Sequence, residues 1–172
     1  IWLKRVIAEM GGKDTMVIDS DCDLAAAADA VIAAAYGFQG QKCSACSRCI
    51  VMEDIYNQFA QMLVERANRI VIGPTKDYNN YLGPVINQAS EEKILGYIEI
   101  GKSEGTLIAG GEKVGGNGYF IKPTVIKDIK PGARLDQEEI FGPVACFMKF
   151  SDEDKVIDMA NDNTFGLCAS VW

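Results

Sequence analysis

The sequence predicts an α/β domain built on a mostly parallel sheet. Short β-rich apolar runs alternate along the chain with stretches of helical periodicity, the order that β-α units produce. The composition agrees: 48% of the 172 residues are apolar and 24% charged, the balance of a chain with a core rather than of a disordered or membrane-embedded one. At ~100–200 residues per domain, the length fits one domain over residues 1–172.

Taken in order, residues 15–19 (Thr-Met-Val-Ile-Asp) read as a short strand. Ser20-Asp21-Cys22-Asp23 then supplies N-caps for a helix over 24–36, whose many Ala residues favour helix and allow close packing. Gly37 and Gly40 end it. Residues 48–52 are β-rich, and Asp54 is placed to cap a helix carrying Ile55, Phe59, Met62, Leu63, Ala67 and Ile70 on one face. Two Pro and Asn79-Asn80 make residues 73–84 a loop, after which Ser90 would cap a helix with Glu91 and Glu92 in its first turn and Ile94, Leu95 and Ile98 inward. Residues 106–109 and 119–129 read as strands flanking a glycine-rich turn, the second interrupted by Pro123. A continuous apolar strand over 144–150, a helix capped by Asp152 and running to Met159, and a strand over 167–172 complete the order.

The net charge is −7, and there is no His. An acidic balance lacks the basic stripe that nucleic acid or an anionic membrane requires, so neither is expected as a partner. The longest apolar stretch, 24–38, contains Asp29 and falls short of the ~20 residues that span a bilayer. Without imidazole, acid/base chemistry must use carboxylate, thiol, Lys or Tyr, which excludes Ser-His and Cys-His catalysis within the chain. Six Cys without a preceding signal peptide point to a reduced, cytoplasmic setting. The chain lacks an initiator Met and both ends are apolar, which reads as a piece of a longer polypeptide.

Three segments are richer in special residues than local structure demands. In Glu9-Met10-Gly11-Gly12-Lys13 a carboxylate precedes a Gly pair that allows close backbone approach; alone, this is also an ordinary tight turn. Phe38-Gln39-Gly40-Gln41-Lys42-Cys43 puts a thiol beside a Lys in a glycine-broken loop, where a cation favours the nucleophilic thiolate. The bland account of such a Cys is a buried structural residue. A second competitor is a metal module, because Cys43, Cys46 and Cys49 stand at C-x2-C-x2-C spacing, part of an iron-sulfur motif, although no Cys-Pro follows and the run enters a strand. Glu138-Glu139-Ile140-Phe141-Gly142-Pro143, read alone, is a turn into the strand at 144.

Together with Asn163-Thr164-Phe165-Gly166-Leu167, these segments resemble, in order and spacing, the aldehyde dehydrogenase superfamily. The stretch from Tyr36 to Arg48 is most similar to the branch that oxidises glutamate γ-semialdehyde (1-pyrroline-5-carboxylate) to glutamate in proline catabolism. Met10, Cys49 and Cys168-Ala169-Ser170 depart from the usual residues. The resemblance implies a three-layer catalytic domain with a mostly parallel sheet. It implies Cys43 as nucleophile, Glu9 as the base for the hydrolytic water, and Gly11 and Gly12 as backbone lying close to a nicotinamide. Glu139 and Phe141 would flank the nicotinamide ribose, and Ser44 would bind the substrate carboxylate. NAD or NADP is the implied cofactor, a small aldehyde the substrate, and a homo-oligomer the state of the parent enzyme; no metal is implied. Most of the dinucleotide-binding domain and the oligomerisation segment would lie outside these residues.

Overall fold

The computed structural model describes residues 2–172; Ile1, the first residue of the apolar opening segment, lies outside them. Six strands form one sheet in the order β3-β4-β5-β2-β1-β6. They are β1 (Asp14–Ile18), β2 (Cys46–Met52), β3 (Thr106–Ala109), β4 (Thr124–Lys127), β5 (Val144–Phe150) and β6 (Ala169–Val171). All neighbouring pairs are parallel except β3 with β4. Helices α1 (Leu24–Tyr36) and α2 (Tyr56–Asn68) cover one face through Val31, Tyr36, Phe59 and Leu63. Helices α3 (Gln88–Glu104), α4 (Arg134–Gln137) and α5 (Glu153–Asn161) cover the other through Ile94, Ile98, Leu135 and Val156. The result is the expected three-layer α/β arrangement.

Helix α1 has the bounds read from its Ala-rich sequence, with Asp23 Oδ1 accepting from the Ala25 and Ala26 N–H groups. Other boundaries differ. No side chain caps α2, so Asp54 does not have the expected role. Helix α3 begins two residues before Ser90, capped by Asn87, whose Oδ1 accepts from the Ser90 N–H. Glu91 is buried there and faces Lys113 at 3.8 Å. The long strand read at 119–129 contracts to β4, because its first half makes only an isolated bridge, Ile121 with Lys113, and Pro123 lacks a ladder donor. The final strand is likewise shorter than 167–172.

One consequence of this topology places the site. Strands β1, β2, β5 and β6 run the same way, so the segments that enter them emerge on one edge of the sheet. Those segments hold the motifs read in the sequence at 9–13, 38–43, 138–143 and 163–167. Open α/β sheets commonly bind ligands at the carboxyl ends of their strands; here the unusual residues gather at the amino ends.

Candidate active site

The loop that carries Cys43 is built on unusual backbone. After α1 the chain passes through Phe38, Gln39 and Gly40, all left-handed at φ 56, 59 and 65. A left-handed conformation costs a non-Gly residue roughly 1–2 kcal/mol, so two in succession need outside support. The Gln41 N–H donates to the Phe38 carbonyl at 3.0 Å, and Gln41 Oε1 accepts from the Ile86 N–H at 2.9 Å. Gly40 lies so close to the Gly142 backbone that a Cβ would overlap the Gly142 carbonyl. Cys43 then sits half-buried on a turn closed by the Ala45 N–H and the Lys42 carbonyl at 3.1 Å, with Ser44 exposed beside it. The Lys42 ammonium lies over Gly37, next to the Tyr81 hydroxyl.

The glycine pair meets this turn. A Cβ on Gly12 would overlap the Cys43 carbonyl, and the Gly12 N–H donates to Glu139 Oε1 at 2.9 Å. A Cβ on Gly11 would fall 2.8 Å from the Phe165 ring and 3.2 Å from Glu139 Oε2. Gly11, Gly12, Cys43 and Glu139 therefore share one cleft. Glu9, two residues earlier, is exposed on a segment outside any helix or strand and holds no hydrogen bond or ion pair among the described residues. Beyond Glu139, a cavity of about 300 Å³ is lined by Ser90, Lys93, Ile94 and Phe141. Phe141 is itself left-handed at φ 60, and Lys93 donates to the Glu139 carbonyl at 3.2 Å.

The surrounding charges are ordered. Two hydrogen bonds from Arg134, with a third from the Tyr97 hydroxyl at 2.6 Å, hold the Glu138 carboxyl down at about 2. Beneath the cleft, Arg48 is buried and donates to Asp136, Thr15 and the Met159 and Ala160 carbonyls at the end of α5. The thiols divide by environment. Burial pushes Cys146 up to about 11 and Cys49 well above the ordinary range. Donation to Asp14 Oδ2 at 3.0 Å raises the exposed Cys168 to about 11. Cys46 points its thiol at the Arg48 carbonyl. The Cys49 thiol lies beside that of Cys46, but no group of three His, Cys, Asp or Glu side chains that could hold a metal ion occurs among the described residues.

Residues 2–172 match the model of the aldehyde dehydrogenase family. The chain belongs to that family. Among its aldehyde dehydrogenase relatives, the 1-pyrroline-5-carboxylate dehydrogenase of Geobacillus sp. (strain WCH70) is 52% identical over 99% of this chain and 33% of its own length. The Bacillus subtilis (strain 168) protein of the same name is 48% identical over 99% of this chain and 33% of its length. A solved 1-pyrroline-5-carboxylate dehydrogenase from Thermus with bound NAD superposes with a TM-score of 0.92 at 46% identity, covering 95% of this chain and 32% of that one. The chain spans about a third of the length of the curated aldehyde dehydrogenases it matches.

Several residues of this aldehyde dehydrogenase cleft escaped the sequence reading. Lys93 sits on the exposed face of a helix, where a lysine carries no signal of its own. Phe165 belongs to a recognised motif without an assigned role, and its contact with Gly11 appears only in three dimensions. Lys13 reads as a turn lysine but is buried.

Proposed function

We propose that this chain is the catalytic domain of an NAD(P)-dependent aldehyde dehydrogenase that oxidises glutamate γ-semialdehyde to glutamate. The observation that carries the reading is the packing of the Cys43 turn on Gly12, whose N–H is in turn bonded to Glu139. The residues present fit a nicotinamide riboside. Gly11 lets the backbone pass close to the Phe165 ring and Glu139 Oε2, and Glu139, Phe141 and Lys93 line the adjoining cavity. When bound, the nicotinamide supplies a hydride acceptor.

The chain's own residues supply the rest. The Cys43 thiolate adds to the aldehyde carbon, and the Cys43 N–H steadies the oxyanion. Loss of hydride from that carbon leaves a thioester on Cys43. Glu9 takes a proton from water, the water attacks the thioester carbon, and the carboxylic acid leaves with restoration of the thiol. Ser44, exposed beside Cys43, is suited to bind the substrate carboxylate. A free-thiol mechanism suits the reduced cytoplasm, and the six cysteines are unpaired. A homo-oligomeric parent enzyme, without nucleic acid or membrane as partner, completes the reading; no helix of the described residues is long and apolar enough to cross a membrane.

The test is NAD(P)H production from glutamate semialdehyde and a panel of short aldehydes by the full-length protein that contains this chain. Cys43→Ala should abolish turnover. Glu9→Ala should slow it by about 10²–10⁴, the usual contribution of a general base, with an acyl adduct on Cys43 visible by intact mass. Full activity in Cys43→Ala would refute the mechanism.

A further inference from the structure

Residues 138–141 carry two of the proposed cofactor contacts, Glu139 and Phe141, on backbone that needs support. Glu138 is extended at φ −99 and ψ 140, whereas Phe141, three residues on, is left-handed at φ 60. A left-handed non-Gly residue is strained and persists only where its surroundings hold it. The supports come from one face of α3. Ile94 packs so closely on Gly142 that a Cβ there would overlap it, and Lys93 donates to the Glu139 carbonyl at 3.2 Å. One turn further along α3, the Tyr97 hydroxyl donates to Glu138 Oε2 at 2.6 Å. Neighbouring side chains of extended backbone point opposite ways. Glu138 accordingly turns to α3, while Glu139 Oε1 accepts from the Gly12 N–H at 2.9 Å.

Tyr97 is itself well placed for this. Arg134 Cζ and Lys93 Nζ lie over its ring, 5.5 and 5.9 Å from the centroid, within the ~6 Å over which a ring face attracts a cation. Burial and the adjacent Glu138 carboxylate raise its hydroxyl above the ordinary range, which keeps it a donor. Glu138 also accepts from Arg134 Nε and Nη2 at 2.8 Å each, but Arg134 stands only four residues earlier, at the start of α4. That pair braces the end of α4 without attaching it to anything else; the Tyr97 hydroxyl is the link from Glu138 to another element. We propose that Tyr97 is a positioning residue: through Glu138 it fixes the course of residues 138–141, and so the placement of Glu139 and Phe141 beside the nicotinamide ribose. The assignment rests on the aldehyde dehydrogenase reading of that segment.

The experiment uses the full-length protein with Tyr97→Phe, which keeps the ring and removes the hydroxyl, with Glu138→Ala, and with both changes. It measures the NAD dissociation constant by titration without aldehyde, the thermal midpoint, and kcat and KM for glutamate semialdehyde. Tyr97→Phe should raise the NAD dissociation constant about three- to tenfold, the range for a residue that acts on a site through another. The midpoint and the aldehyde KM should stay nearly unchanged. In the Glu138→Ala background, Tyr97→Phe should cost no further NAD affinity, because the hydroxyl then has no carboxylate to hold. Unchanged NAD affinity in Tyr97→Phe, or the same loss repeated in the Glu138→Ala background, would overturn the assignment. So would a lower midpoint and a higher aldehyde KM that accompany the loss of NAD affinity, since Tyr97 would then serve the fold alone. A wild-type protein that binds neither NAD nor NADP would instead overturn the nicotinamide reading of the site.

Discussion

At the scale of single residues, Gly12 and the thiols carry the sharpest consequences. Gly12 has an ordinary φ, so its requirement is one of space: a Cβ would occupy the position of the Cys43 carbonyl. Gly12→Ala must displace either the Cys43 turn or the Gly12–Glu139 hydrogen bond. The expected result is a fold destabilised by about 1–3 kcal/mol, as for overpacking, and a loss of kcat much larger than that change would produce through unfolding. Parallel thermal melts and initial rates test it, and an active Gly12→Ala protein would remove close packing from the explanation of the site. The thiols make a separate prediction. A thiol held at about 11 is ionised to only roughly one part in a thousand at pH 8. Exposed Cys168 should therefore react slowly with iodoacetamide, while half-buried Cys43 is alkylated first and buried Cys49 and Cys146 stay unmodified. Because Asp14 raises Cys168, Asp14→Asn should bring its labelling to lower pH. Equal labelling of Cys168 and Cys43 at pH 8, read by peptide mapping, would contradict this account.

At the scale of elements, the strands and helices that bury a continuous apolar run were legible: β5 and α1 have the bounds their sequences suggest. The boundaries decided by one side chain were less so, since Ser90 and Asn87 are both good caps and only backbone geometry selects Asn87. The four site segments were legible as motifs, and their convergence follows from parallel pairing of the strands they enter. What was hidden is the joint between elements. Arg48 reads as one basic residue at a strand start, yet its guanidinium connects β2 to β1, α4 and the last carbonyls of α5. It thereby fixes the spacing between the segments at 136–139 and 160–163. Arg48→Met leaves Asp136 as an uncompensated buried charge, and removing one partner of a buried pair costs about 3–5 kcal/mol. Denaturant unfolding should register that loss. The paired change Arg48→Met with Asp136→Leu should recover part of it, because both desolvated charges are then gone; a double variant no more stable than the single would show that the other contacts of Arg48 dominate.

At the scale of the whole molecule, the sheet and its two cores are continuous, whereas the cleft is open on the side of Glu9. The segment that carries Glu9 leaves Trp2, Leu3, Val6 and Ile7 all more than 75% exposed. Aldehyde dehydrogenase relatives are about three times as long, and in the proposed mechanism Glu9 must come within hydrogen-bond reach of a water beside the Cys43 thioester. Nothing within residues 2–172 holds it there, so the chemistry needs chain that covers this segment. The 172-residue chain on its own should fold cooperatively, because both apolar cores close within it. It should still produce no NADH from glutamate semialdehyde, while Cys43 remains open to alkylation. The measurements are a thermal melt, an absorbance assay at 340 nm and labelling of Cys43 on the same preparation. A cooperative melt with labelled Cys43 and no turnover is the expected result; measurable NAD-dependent oxidation would mean that the Glu9 segment finds its catalytic position without further chain.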